Sequence, residues 1–266
     1  MNEHESHTLK SAIELRRALR QWFATPLGRS LEAHEAHRLR DVLPTLYGAV
    51  ALQLGCIGPL DLLDSAAAPK HILLDMLARR GAARVCGAPE QLPFDSRSVD
   101  VALLPHTLDF CDDAHSVLRE VARVLAPEGH VVILGFNPVS LWGLRRLVAR
   151  RPRPMPWCAS FLSLSRIKDW LALLDFQVTH GMMLYYRPPM QHEGVMHRMN
   201  FFDKAGDRWW PLMAGVYMVV AKKRVVGVTS LPIEWKTKSL VGSVVARPVA
   251  RGMVVPFERP VVKRIG

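Results

Sequence analysis

The sequence predicts an α/β protein: a doubly wound, mostly parallel sheet with helices on both faces. Three observations carry this. From residue 49 onward, short apolar runs alternate with amphipathic stretches, as in chained strand–helix units. One run, VDVALLP at 99–105, is almost wholly apolar, as a strand covered on both faces must be. And AVALQLG at 49–55 runs straight into a glycine turn, the junction at which ligand-binding sheets of this kind begin.

The elements follow in order. LKSAIELRRALRQWF (9–23) puts Leu9, Ala12, Ile13, Leu15, Leu19, Trp22 and Phe23 at helical spacing, with Arg16, Arg17 and Arg20 on the other face. TPLG (25–28) is expected to stop that helix, and a second, charged on one side, covers 29–43. Residues 1–48 thus form a helical cover. Within it, HEAH (34–37) is not a zinc-protease HExxH, because its histidines stand three apart; a solvated helix face is expected. Strands are expected at 49–55, 71–75, 83–88, 99–105, 130–136, 177–184 and 215–223. Helices are expected at 61–67, 115–127 and 165–176, the middle one with Val117, Leu118, Val121, Val124 and Leu125 on one side. Residues 185–213 are an aromatic insertion between the last two strands, holding two Tyr, two Phe and two Trp. Residues 224–266 are basic, aperiodic and proline-containing, and read as a disordered tail.

Charge is distributed unevenly. The chain of 266 residues carries a formal charge of +11. Lys222 to Gly266 holds ten Lys/Arg against two Glu, a net of +8, so the folded part is close to neutral. That weakens a nucleic-acid reading of the fold and leaves the tail as the place where RNA or an anionic membrane would be contacted. The four cysteines, Cys56, Cys86, Cys111 and Cys158, are too far apart for a paired zinc motif and suit free thiols in a reducing cytoplasm. No metal site is expected. The first 20 residues carry no apolar run of signal-peptide type, and no stretch approaches 18 uncharged apolar residues, so neither a signal peptide nor a membrane-spanning helix is expected.

The glycine turn is unusual. Only Gly55 and Gly58 are present, Ile57 is bulky, and Pro59 lacks an N–H. A dinucleotide site needs more glycine, because a pyrophosphate must approach the backbone closely. S-adenosylmethionine (SAM) has no phosphate and asks less of the loop: room for its amino-acid end, and an acid for its ribose hydroxyls. Asp75, 20 residues after Gly55 and ending HILLD, has the spacing of that acid.

The middle of the chain is more specific. EQLPFDSRSVDVALLPHTLDFCDDAHSVLREVARVLAPEGHVVILGF (90–136) closely resembles class I SAM-dependent methyltransferases of the type 11 group. The resemblance rests on Leu92-Pro93-Phe94, Asp100, Arg119-Glu120, Arg123-Val124-Leu125, Pro127 and Gly129, in the family's order, and covers residues 49–180. WFATPLG (22–28), FNPVSLWGLRRL (136–147) and AGDRWWP (205–211) resemble a narrower bacterial group, the YafS-like methyltransferase-domain proteins. What this implies is a Rossmann-like, seven-stranded methyltransferase domain over 49–223, with SAM as cofactor.

The resemblance also implies positions. The family's glycine loop falls on Gly55, Cys56, Ile57, Gly58 and Pro59. The acid two residues before it is Gln53 here, the ribose acid is Asp75, and the adenine-side acid falls on Ala88, beside Pro89. The segment facing the sulfonium and substrate falls on Pro105, His106 and Thr107. Methyl transfer needs position and water exclusion, and a base only when the nucleophile arrives protonated. His106 is the candidate base, with Asp109 to orient it; a packing role for His106 stays open.

Asn137-Pro138 is not the (D/N)PP(Y/F) motif, since it follows the fifth strand and its next residue is Val139, but Asn137 is a candidate substrate contact. Tyr185, Tyr186, Trp209 and Trp210 are candidates for a substrate wall, with a core role as the alternative. Arg145, Arg146, Arg150, Arg151 and Arg153 lie close together, but without interleaved aromatics to stack on single strands. The expected function is methyl transfer to a small or lipid-like acceptor. The alternative is a scaffold that has lost catalysis and binds anionic partners through its tail.

Overall fold

The computed structural model describes residues 3–77, 84–149, 154–189 and 213–224. Residues Met1–Val226 form one compact unit; a second, Gly227–Gly266, lies outside the described residues. The tail expectation and Trp209 and Trp210 therefore also lie outside them.

Two helices open the chain, α1 (Glu3–Phe23) and α2 (Pro26–Val42). The TPLG segment expected to stop α1 also starts α2. Thr25 is extended, and its hydroxyl accepts from the Gly28 N–H at 3.2 Å, while Pro26 occupies the first turn, where its missing N–H costs nothing.

The strands are β1 (Val50–Leu54), β2 (Lys70–Asp75), β3 (Arg84–Cys86), β4 (Val99–Pro105), β5 (Leu125–Phe136), β6 (Phe176–Leu184) and β7 (Val216–Lys223). They form one seven-stranded sheet in the order β3-β2-β1-β4-β5-β7-β6. β1 pairs in parallel with β2 and β4, and β4 with β5, whereas β7 runs antiparallel to both β5 and β6. The reversal of strand order beside β1 makes a crevice at the carboxyl ends of β1 and β4, the place where such sheets bind ligands.

Alternation along the strands sends side chains to two cores. Ala51, Val101, Leu103, Val132 and Leu134 share one with Leu19 and Phe23 of α1 and Leu27, Leu31 and Leu39 of α2. Leu52, Leu54, Ala102, Leu104, Val131 and Ile133 share the other with α3 (Ala114–Val124) and α5 (Leu164–Leu173). The N-terminal helices thus take part in the core on one face of the sheet.

Three expectations change. Residues 61–67 are turns rather than a helix: Asp61 accepts the Leu63 N–H at 3.0 Å, a local bond that competes with helix formation. The 115–127 helix ends at Val124, because Leu125 and Ala126 precede Pro127 and the chain turns extended into β5. An unforeseen helix, α4 (Leu141–Val148), follows β5, capped by Ser140, whose hydroxyl accepts the Gly143 N–H at 3.1 Å. No helix among the described residues is long and apolar enough to cross a membrane.

Candidate cofactor and active site

The glycine turn after β1 is built by its neighbours. Gly55 has φ +88°, and a Cβ there would stand 2.7 Å from Arg16 Nη1. Glycine is required twice over, for the backbone conformation and for the space. Its N–H donates to Leu74 O at 2.7 Å, and the Gln53 amide donates to Gly55 O at 2.9 Å. At Gly58 a Cβ would lie 2.4 Å from the Glu32 carboxylate of α2, which accepts the Leu60 N–H at 3.0 Å and whose pKa is raised by burial. Ile57 points into the core and is 1% exposed. The two glycines are thus the positions where the N-terminal helices press on the turn, while Ile57, a departure from a glycine-rich loop, serves the core.

Asp75 ends β2 and is buried. It accepts the Cys56 N–H of the glycine turn at 3.1 Å and the Leu77 N–H at 3.2 Å. It also pairs with the Arg20 guanidinium of α1, whose Nε donates to Cys56 O at 3.3 Å. Around it, Gly55, Leu74, Met76, Gly87 and Pro89 line a narrow, half-open crevice together with Arg16, too tight to admit a water molecule. Arg16 is 4% exposed, and burial lowers its pKa. The sequence reading placed Arg16 and Arg20 on the outer face of their helix; instead both turn toward the sheet, and Arg17 alone is exposed. The clue was their i, i+4 spacing beside Leu19 and Phe23.

The motif residues at 90–129 explain themselves here. Glu120 and Arg123 of α3 clamp the Leu-Pro-Phe turn: Glu120 accepts the Leu92 N–H at 3.1 Å, and Arg123 donates to Leu92 O and to Phe94 O, both at 2.9 Å. The clamp fixes the segment carrying Ala88 and Pro89. Asp100 accepts the N–H groups of Ala49 and Val50 at 2.7 and 3.0 Å, satisfying donors at the start of β1.

At the end of β4, Pro105 is buried and His106 has φ +53°. The His106 ring is 0% exposed, with Nε2 2.8 Å from Glu35 Oε1 and Nδ1 3.1 Å from Asp109 Oδ2. Burial alone would lower its pKa, but the Glu35 charge and the hydrogen bonds to Asp109 and Glu35 raise it to about 9. At neutral pH it is an imidazolium held between two carboxylates, with both nitrogens committed. That arrangement serves as a brace between α2 and the sheet, and leaves no ring nitrogen for a substrate. HEAH is correspondingly not a solvated face, because Glu35 is wholly buried. Thr107, also buried, donates to Leu54 O.

The substrate candidates divide. The Asn137 amide donates to Val139 O at 3.1 Å and Ala214 O at 2.9 Å, and its oxygen accepts the Val139 N–H, so it clasps the end of β5 to the start of β7. Tyr185 is buried, its hydroxyl 3.2 Å from Ser30, while Tyr186 is half-buried. Phe136 stacks on His106, Trp142 and Phe161 at 4.1, 5.7 and 5.0 Å between centroids, and Trp142 stacks on Trp157 at 6.3 Å. These rings fill the β5 end as core. Arg145 and Arg146 lie over Trp157 and Phe161 at 4.1 and 5.3 Å. No cluster able to hold a metal ion occurs among the described residues.

The strand order, the antiparallel β7, and a glycine turn bonded to a strand-end acid define a class I methyltransferase-fold protein. Residues 63–133 match the family model described as a methyltransferase domain. The chain is 32% identical over 213 residues to the uncharacterized protein YafS of Escherichia coli K12, covering 80% of this chain and 84% of YafS. It belongs to the same family of methyltransferase-domain proteins as YafS. Among solved structures, a SAM-dependent methyltransferase of Thermotoga maritima, titled a possible histamine N-methyltransferase, superposes with a TM-score of 0.57 at 17% identity, over 77% of this chain and 94% of that one. The N-methyltransferase NodS of Bradyrhizobium japonicum, in complex with S-adenosylhomocysteine (SAH), gives 0.52 at 12% identity, over 79% and 96%.

Proposed function

We propose that the protein is a SAM-dependent methyltransferase acting on a small or lipid-like acceptor in the cytoplasm. One observation carries the reading: Asp75, at the carboxyl end of β2, is tied to the N–H of Cys56 in the glycine turn. An acid so fixed is placed to take ribose hydroxyls. Leu74, Met76 and Pro89 supply apolar walls for an adenine, and Arg16 supplies a cation. The donor set therefore suits the cofactor. The room does not yet: nucleoside-sized ligands occupy pockets of about 300 Å³ or more, and Arg20 holds the acid. Arg20 must release Asp75, and the crevice must open, to admit the ligand.

Bound SAM supplies an activated methyl on sulfur. The chain's own residues position, exclude water and stiffen. Pre-orienting two reactants lowers a barrier by about 7–11 kcal/mol, and the aromatic packing and the Glu35–His106–Asp109 brace keep the β4 and β5 ends rigid and dry. No side chain needs to exchange a proton if the acceptor arrives deprotonated. The NodS complex with SAH supports the cofactor, and the four free cysteines suit a reducing compartment. An inactive anion-binding scaffold draws no support from the comparisons.

Calorimetric titration with SAH tests this directly. Micromolar binding that Asp75→Asn weakens at least tenfold is expected, followed by transfer of labelled methyl from SAM into a metabolite or lipid extract. Folded protein that ignores SAH at millimolar concentration would end the cofactor reading.

A further inference from the structure

Arg16 is a buried cation at the mouth of a ligand crevice. Its Nη1 has no hydrogen-bond partner, and it makes no ion pair among the described residues. The nearby acids are engaged elsewhere or act only through space: Asp75 is paired with Arg20, and Glu90 influences Arg16 without bonding it. A guanidinium removed from water and left unpaired is strongly unfavourable, so a position that keeps one implies an anion that comes and goes.

The turn itself narrows the kind of anion. The Gly55 and Cys56 N–H groups are spent on Leu74 O and Asp75, and Pro59 has none. The turn is left with the Ile57 and Gly58 N–H groups alone, fewer donors than the row that cradles a phosphate. Asp75 and Glu90 also make the surroundings hostile to a multiply charged ion. A single carboxylate on a zwitterion fits: it takes a bidentate bond from the guanidinium and adds only one negative charge.

We propose that Arg16 is the counter-ion for the methionyl carboxylate of the cofactor, which makes α1 a wall of the cofactor site rather than a cover over it. The proposal rests on the cofactor reading above. In it, the two arginines have different parts. Arg20 gives up Asp75 to the ribose, and Arg16 stays against Gly55 and gains a partner.

The test compares two ligands that differ in the amino-acid end. SAH carries the carboxylate; 5′-methylthioadenosine keeps the adenosine and the thioether but lacks it. Calorimetry on the full chain should show Arg16→Gln weakening SAH at least tenfold, about 1.4 kcal/mol, with Arg16→Lys recovering part of the loss. Binding of 5′-methylthioadenosine should change by less than twofold. Unliganded Arg16→Met should melt at or above the wild-type temperature, since it replaces an unpaired buried charge by an apolar chain of similar length. Equal losses for both ligands, or a lower melting temperature, would make Arg16 a structural residue and overturn the proposal. So would SAH binding that Arg16→Gln leaves unchanged, and that result would spare the cofactor reading. Wild-type protein that binds neither ligand would overturn both.

Discussion

At the scale of single residues, Gly55 and Arg123 show how a few atoms set the crevice. Gly55→Ala places a methyl where Arg16 Nη1 now lies, at a φ of +88°. Left-handed backbone costs about 1–2 kcal/mol for a residue with a Cβ. Chemical denaturation should show a lower midpoint with an unchanged slope, and SAH affinity should fall as Arg16 is displaced; an unchanged midpoint would mean the turn relaxes around the methyl. Arg123→Ala removes two hydrogen bonds to the Leu-Pro-Phe turn and the pair with Glu120. Charge-assisted bonds contribute about 1.5–3 kcal/mol each where water cannot replace them; Arg123 is partly exposed, so a loss near 1–2 kcal/mol in total is expected. Proteolysis should then cut first near the loosened turn at 88–94.

At the scale of elements, α2 is a helix with two acids on its buried side. Glu32 fills the place of a side chain at Gly58, and Glu35 reaches His106. The helix depends on its start. Thr25→Ala leaves the Gly28 N–H without its partner and also removes the Thr25 bond to Trp22 O, at 2.6 Å. Loss of such a cap costs about 1 kcal/mol, so a melting temperature a few degrees lower is expected, with Thr25→Ser close to wild type. If Thr25→Ala and wild type melt together, the α1–α2 corner is held by packing alone.

At the scale of the whole molecule, the Glu35–His106–Asp109 brace makes stability depend on pH, because it joins the N-terminal helices to the sheet. His106 titrates near 6.5 when unfolded and at about 9 when folded. The folded state therefore holds its proton more tightly. The stabilisation is fully present below about pH 6.5 and is lost as pH rises through 9, a loss on the order of a few kcal/mol. The Cys111 thiol, pushed up to about 12 by burial, acts in the same direction only above its unfolded value near 9. Denaturation midpoints measured from pH 6 to 9 should fall steadily for the wild type and stay nearly flat for His106→Gln. A wild-type profile that is flat over this range would mean that the imidazole is neutral in the fold.

The sequence by itself determined the sheet. Strand periodicity and the apolar run at 99–105 repeat within one element, so their pattern is visible along the chain; Glu120, Arg123 and Asp100, whose partners lie far off in sequence, were legible only through the resemblance to a known family. It also located Gly55 and Asp75, because a strand, a turn and a strand end have fixed spacing. What it could not decide was who fills the crevice. Arg16 and Arg20 have the helical positions of a solvated face, and HEAH reads as charged surface. Only packing α1 and α2 against the carboxyl ends of β1 and β4 turned those charges inward. There, Arg20 found Asp75, and Glu35 found a histidine 71 residues away. A charge shows its type in sequence, but its partner is set by the tertiary fold, because burial makes solvation so costly that pairing replaces it.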